Sequence, residues 1–207
     1  MTRPRETYNL SEIHIRDACI LADPETLTYY MCAAMRPSEG HPRAGVRVYT
    51  SQDLERWEGP TLVYEIPPDF WAQRGIWAPE LHRYQGKTYL FLTFNTDTPL
   101  PASAARPEGE LRPDWPPLVK RGSQVLVADA PLGPYRPFHN HAHTPADEMT
   151  LDGTLWVEEG APYMVYCHEW VQLGDGTVEL VRLTPDLSAI DGDPVVLFRG
   201  SDAPRAF

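Results

Sequence analysis

Asp152 opens, and His168 and Glu169 close, a stretch in which two runs of β-branched and aromatic residues flank the turn Glu158-Glu159-Gly160-Ala161-Pro162. Such a pattern reads as an antiparallel hairpin. Positions 152 and 168 lie equally far from Gly160, so the hairpin returns His168 and Glu169 beside Asp152. Two carboxyls and an imidazole at one end of a strand pair can exchange protons with a bound substrate, one group ionised as a base and another protonated as an acid. Acidic residues also gather at hairpin ends simply because those ends are wet. The two readings separate if other parts of the chain carry carboxylates in the same structural position.

Two earlier segments do. Asp17 precedes an apolar run, an Asp23-Pro24-Glu25-Thr26 turn and a second apolar run, followed by strand-like segments at 46–51 and 62–64. Glu80 starts a run that turns at Gln85-Gly86-Lys87, returns through Thr88–Phe94 and is followed by Ser123–Ala128 and the turn-rich Asp129–Tyr135. The third copy begins at Asp152 and ends with Val178–Leu183 and Pro194–Phe198. Twenty-two prolines and fourteen glycines leave little room for long helices between these runs. Four-stranded antiparallel units that recur roughly every 60–70 residues predict an all-β fold, a β-propeller. One domain is expected over residues 1–207, with blades at about 15–66, 77–138 and 150–200. First strands line a propeller's axis, so Asp17, Glu80 and Asp152, taken as equivalent, converge on one central funnel. The Pro-rich stretch Pro99–Pro117, with Trp115, reads as a mouth insertion between the second and third strands of the second blade.

The totals narrow the function. Eighteen basic against twenty-nine acidic side chains give a formal charge of -11, which disfavours nucleic acid and anionic membranes as partners. No apolar run is long enough to span a bilayer, and no apolar segment follows the charged N-terminus as a signal peptide requires. Cys19, Cys32 and Cys167 lack zinc-site spacing and are odd in number, so reduced thiols in a cytoplasmic protein are expected. His139-Asn140-His141-Ala142-His143 resembles a metal motif but lacks a suitably spaced carboxylate, and a loop is the preferred reading.

Arg16-Asp17-Ala18 before an apolar strand, Trp77-Ala78-Pro79-Glu80-Leu81 opening the second unit, and Leu151-Asp152-Gly153-Thr154-Leu155-Trp156-Val157 opening the third occur in an order that resembles glycoside hydrolase family 43. The segment Ser51-Gln52-Asp53-Leu54-Glu55-Arg56-Trp57 resembles that family's recurrent turn ending in Trp. The resemblance implies a five-bladed propeller, of which about three blades are present, and inverting hydrolysis of arabinose-, xylose- or galactose-containing oligosaccharides. It implies Asp17 as general base and Asp152 as the carboxylate that tunes and orients the acid. The family's acid is a glutamate of the fourth blade, and the chain stops just past the third. Glu169 is a substitute acid by hairpin geometry. Without one, a carbohydrate-binding propeller or inactive fragment is the alternative.

Glu80 is assigned to the funnel, either contacting substrate or fixing loop backbone. Sugars present apolar C–H faces to aromatic rings, which makes Phe70, Trp71 and Trp77 candidate platforms, while Trp57 and Trp156 are assigned to packing between blades. Arg16 and Arg74 can bond hydroxyls or pair with acids. His168 is either a buried structural residue or a ligand for water or a structural cation on the axis; no cofactor is required. Apolar side chains on the outer faces of the first and third blades, among them Tyr29, Tyr49, Trp57, Trp156, Tyr163 and Phe198, predict self-association and weak or absent activity of the chain alone.

Overall fold

Short runs rich in Val, Tyr, Leu and Trp, punctuated by Pro and Gly, form strands because branched and aromatic side chains suit a pleated surface. The computed structural model, which describes residues 6–38, 40–101, 104 and 116–203, arranges them in three antiparallel sheets. The first contains β1 (Thr7–Asn9), β2 (Cys19–Asp23), β3 (Thr28–Met35), β4 (Gly45–Ser51) and β5 (Arg56–Glu65) in the order β1-β5-β4-β3-β2. The second is a meander of β6 (Gly75–Tyr84), β7 (Lys87–Pro99), β8 (Val119–Ala128) and β9 (Arg136–Pro137). The third is a meander of β10 (Thr150–Glu158), β11 (Ala161–His168), β12 (Thr177–Arg182) and β13 (Val195–Arg199), with a one-turn helix α1 (Trp170–Leu173) between β11 and β12. The fold is a partial propeller whose blades each begin with an inner strand: β2, β6 and β10. Strand β1 is an addition that the repeat did not anticipate. It pairs with the outer edge of β5, placing Tyr8 opposite Trp57.

Two cores hold the blades face to face. Val46, Val48 and Tyr64 of the first meet Leu90, Leu92 and Phe94 of β7, while Tyr89, Phe91 and Val125 meet Met164, Tyr166 and Val181 of the third. Alternate residues of β7 thus serve different cores, which is why Thr88 to Thr96 is buried without interruption. A Leu→Ala change there would cost about 2–5 kcal/mol. By contrast β11 alternates, burying Pro162, Met164, Tyr166 and His168, of which Met164 and Tyr166 pack against the second blade, and leaving the opposite face half-buried.

The two outer faces differ. Trp57 does not pack between blades; it is fully buried with Met31 and Tyr49 under Tyr8, Ile13 and Ile15 of the N-terminal segment. Trp156 is 54% exposed, and every residue of β13 is exposed. The expected mouth insertion falls between β7 and β8, and residues 102, 103 and 105–115, Trp115 included, lie outside the described residues.

Candidate active site

The inner strands share a backbone irregularity that sets the site. In the third blade Leu151 pairs with Cys167 and the next pair is Thr154 with Val165, so Asp152 and Gly153 together oppose Tyr166. In the second, Trp77 pairs with Thr93 and Glu80 with Phe91, so Ala78 and Pro79 oppose Leu92. Both are β-bulges with two residues against one. The first bulge residue is left-handed in each, Ala78 at φ 39° and Asp152 at φ 54°, and Asp17, two residues before the Cys19–Cys32 pair, has φ 53°. Asp17, Ala78 and Asp152 are therefore the equivalent positions. Glu80 is not; it stands two residues further along, level with Cys19 and Thr154. The bulge also shifts the hairpin, so His168 pairs with Thr150 rather than lying opposite Asp152.

Neighbouring hydroxyls pin the third-blade bulge. The Asp152 N–H donates to Thr93 Oγ1 at 2.8 Å and the Gly153 N–H to Ser123 Oγ at 3.1 Å, both groups of the second blade. The approach is so close that a Cβ on Gly153 would lie 2.7 Å from that of Ser123. Burial raises the Asp152 carboxyl, and the charges of Asp17 and Glu80 raise it further, with Arg121 opposing. Asp152 therefore feels both of the other predicted funnel carboxylates, although from two levels. Asp17 itself is half exposed beside Arg16, whose Nε is 3.3 Å from Asp17 Oδ2.

The deeper level is hydrogen-bonded. Thr154 Oγ1 donates to Glu80 Oε2 at 2.6 Å, and His82 Nε2 lies 3.0 Å from the same oxygen. Burial pushes the Glu80 carboxyl up, but these two bonds and the His82 charge outweigh it and hold Glu80 below the usual range. Glu80 is thus a well-partnered anion. Cys19, on this level, has its thiol lowered to about 7, chiefly by its bond with Cys32.

Arg121 of β8 joins the remaining groups. Its NH1 is 2.5 Å from Glu169 Oε1, its Nε donates to Asn95 Oδ1 at 2.6 Å, and its guanidinium lies 4.3 Å above the Trp77 ring. Glu169 caps the start of α1 and is buried; burial raises its carboxyl while Arg121 pulls it down. Trp77 remains 45% exposed. Trp71 is half-buried, donates Nε1–H to Gln124 Oε1 at 2.8 Å, and lines a cleft of about 470 Å³ with Thr98, Lys120, Arg121 and Asn140. Phe70 cannot serve as a platform, because its ring is buried 4.9 Å from that of Phe94 and beside Tyr64. His168 is not on the axis: it belongs to a second strand, and alternation turns it toward Gln172, Glu148 and Glu179 of its own blade region. Arg74 pairs loosely with Asp97 at 3.5 Å on the surface. In the histidine cluster, buried His143 meets Leu187 O at 3.1 Å and its pKa is depressed by burial to about 4, while His139 and His141 stack with ring centroids 5.0 Å apart.

Arg121, Thr93, Ser123, His82 and Thr154 were not singled out from the sequence. A hydroxyl inside an apolar run, as in Leu90-Phe91-Leu92-Thr93-Phe94, was the one available signal, since a buried hydroxyl must find a partner.

The described residues contain no helix long and apolar enough to cross a membrane. No curated protein matches the chain. Among solved structures, the chain is similar to an endo-arabinase from Bacteroides thetaiotaomicron VPI-5482, with 35% identity and a TM-score of 0.75 over 95% of this chain and 60% of that one. A thermostable family-43 glycoside hydrolase shares the fold at 19% identity and a TM-score of 0.65, with 89% of this chain and 53% of that one covered. An alpha-L-arabinofuranosidase from Lactobacillus brevis does so at 17% and 0.64, over 88% and 53%. The chain thus spans between half and three fifths of the length of these relatives. The family described as Glycosyl hydrolases family 43 matches residues 11–206, and with the three bulged or left-handed inner strands in the same order, the chain belongs to that family.

Proposed function

We propose that the chain serves the hydrolysis of O-glycosidic bonds in arabinose-, xylose- or galactose-containing oligosaccharides, with inversion at the anomeric carbon. The observation that carries this reading is the placement of Asp17 and Asp152 at equivalent left-handed positions of two inner strands, close enough for the charge of one to raise the carboxyl of the other. Asp17, open to solvent, suits a base that takes a proton from water as it attacks. Asp152, its backbone pinned by Thr93 and its carboxyl raised by desolvation and by the charges around it, suits the carboxylate that orients and tunes an acid. Inversion requires room for that water between base and acid. Trp77, with one face taken by Arg121, and Trp71, at the cleft, offer rings to sugar C–H faces. Glu80 fixes the inner-strand level beneath them, and Arg16 orients Asp17 or a substrate hydroxyl.

A second reading, a carbohydrate-binding propeller without turnover, is favoured by Glu169. Its carboxylate is engaged by the Arg121 guanidinium in a pair with both groups largely buried, an arrangement that suits a strut between blades. Carboxylate chemistry of this kind needs no cofactor, and a cation on the axis would serve structure only. We place the protein in the cytoplasm on its three free thiols, and expect a neutral oligosaccharide rather than nucleic acid or a membrane as partner, in keeping with the charge of -11. The exposed outer face of the third blade supports self-association.

The test is turnover of an aryl α-arabinofuranoside, an aryl β-xyloside and arabinan oligosaccharides by the 207-residue chain, alongside sugar binding by calorimetry. Turnover that Asp17→Asn abolishes while binding persists supports hydrolysis. Binding without turnover selects the second reading. Neither binding nor turnover, or turnover that Asp17→Asn leaves unchanged, overturns the assignment of Asp17.

A further inference from the structure

Glu148, His168 and Glu179 bring one ligand atom each to within 4.8 Å of one another. They come from three places: the turn before β10, the end of β11, and β12. His168 Nδ1 is 3.4 Å from Glu179 Oε1 and 3.7 Å from Glu148 Oε2. Glu148 Oε2 is buried with no hydrogen-bond partner.

An independent feature, outside the three, fixes what the imidazole presents. The amide nitrogen of Gln172 donates to the carbonyls of Asp147 at 2.8 Å and Ala104 at 3.3 Å, and its Oε1 accepts the Met149 N–H at 2.6 Å, so the amide has a single satisfied orientation. That same Oε1 lies 2.9 Å from His168 Nε2. Facing an acceptor, Nε2 must carry the ring proton. Gln172 thus claims Nε2, and the ring, 9% exposed, turns Nδ1 toward two carboxylate oxygens. Three ligand atoms that converge on one point, one of them a buried oxygen with no hydrogen-bond partner, form a ready pocket for a cation.

We propose that Glu148 Oε2, His168 Nδ1 and Glu179 Oε1 bind one zinc ion, at a structural site off the propeller axis and separate from the acid–base groups. Two carboxylates and a neutral imidazole balance a divalent charge. Ligands about 2.0–2.1 Å from a tetrahedral zinc stand roughly 3.3–3.4 Å apart, so the two separations from His168 need little closure, and the carboxylates lie within 4.8 Å of each other. The imidazole disfavours calcium and magnesium, which take oxygen ligands. Outer partners are in place: Gln172 holds the histidine tautomer, while Thr177 Oγ1 at 2.6 Å and Tyr166 OH at 3.0 Å donate to Glu179. Glu148, the most exposed of the three, leaves one side for a coordinating water. The ion would tie the turn before β10 to β11 and β12, next to the Glu169–Arg121 pair.

The test uses the untagged 207-residue chain, stripped with chelator and dialysed against zinc chloride. Expected are one equivalent of zinc lost in His168→Asn and in Glu179→Gln, and a Tm that rises with zinc in the wild type but not in these variants. Gln172→Met should weaken zinc binding about 10- to 100-fold. The double change His139→Asn, His141→Asn should leave the equivalent in place, which separates this site from the surface histidines. Circular dichroism checks that each variant keeps its strands. The proposal is overturned if the wild type binds no zinc, or if a folded His168→Asn variant binds as much as the wild type. It is equally overturned if nitrogen NMR finds both His168 ring nitrogens protonated at neutral pH with zinc present, because the three groups are then an internal imidazolium–carboxylate cluster.

Discussion

The first and third blades have the same strand plan and present an aspartate at the same left-handed turn, yet the chain finishes them differently. The first blade leaves its aspartate open, beside Arg16, and covers its outer face with Tyr8, Ile13 and Ile15. The third also leaves its aspartate exposed but fastens the bulge to Thr93 and Ser123, and leaves Trp156 and β13 uncovered. A repeated fold therefore fixes where a functional group stands, while non-repeated neighbours decide its charge and rigidity. Similar aspartates can then divide the labour of one reaction.

The division is tested most severely at Asp17. Asparagine tolerates the left-handed backbone, so Asp17→Asn removes only the ionisable oxygen. A general base is worth about 10²- to 10⁴-fold in rate, and a loss of that size in kcat with sugar affinity retained is the expected outcome. If instead Asp152→Asn gave the larger loss in the pH-independent region of the rate profile, the roles of the two blades would be exchanged.

Rigidity of the third bulge comes next. Gly153→Ala forces a methyl into Ser123 at a distance that no ordinary Cβ contact allows. Denaturant unfolding should register a loss of about 1–3 kcal/mol. An alanine at Gly75, an inner-strand glycine with no left-handed backbone and open space around it, isolates the cost of the added methyl from that of the clash. Equal losses at the two positions would mean that the close approach between blades is not what holds Asp152.

How much of this was legible in the sequence follows from the same physics. Asp17 and Asp152 could be read because each precedes an apolar strand after a polar turn. Glu80 was placed one level too high because a bulge is a backbone event: nothing in Ala78-Pro79 announces that two residues will oppose one, and the carboxylate was the nearest ionisable group to the expected position. The same bulge at Asp152-Gly153 moved His168 off its predicted partner. Phe70 looked like a platform through its neighbour Trp71, but only the three-dimensional meeting of Tyr64 and Phe94 buries it. Arg121 sits in Val119-Lys120-Arg121-Gly122, which reads as a wet strand end; its partner Glu169 is far away in sequence. The alternation of strands and turns is local and survives in one dimension. Register and partnership are not local, and they decide the site.

The contrast between covered and bare outer faces gives a smaller effect. Trp156→Ser with Phe198→Ser should weaken self-association of the chain at least about tenfold in sedimentation, since each removes a large exposed apolar group from one face. The converse change on the first blade, Ile13→Ser with Ile15→Ser, loosens the cover over Trp57 and should add association where none is expected. Equal sedimentation of both variants and the wild type would mean that neither face is an interface.

The smallest expected effect concerns the charge on Asp152 and has a definite sign. Burial and the nearby charges of Asp17 and Glu80 raise its carboxyl, so the folded chain holds this proton more tightly than the unfolded one. Stability from this group is thus greatest at low pH and declines as pH rises from the unfolded carboxylate value, about 3.9, through the raised folded value. At pH 7 the full penalty is present. Asp152→Asn imitates the protonated acid and keeps a residue suited to the left-handed turn, so it should raise Tm at pH 7, by no more than about a degree or two once solvent screening is counted. Near pH 3, where the wild-type carboxyl is itself protonated in the folded state, the two proteins should melt together. Asp17→Asn provides the comparison, because its carboxylate is open to solvent and paired with Arg16. A Tm for Asp152→Asn that is lower than wild type at pH 7 and equal at pH 3 would reverse the sign, placing Arg121 rather than burial in control of the third blade's aspartate.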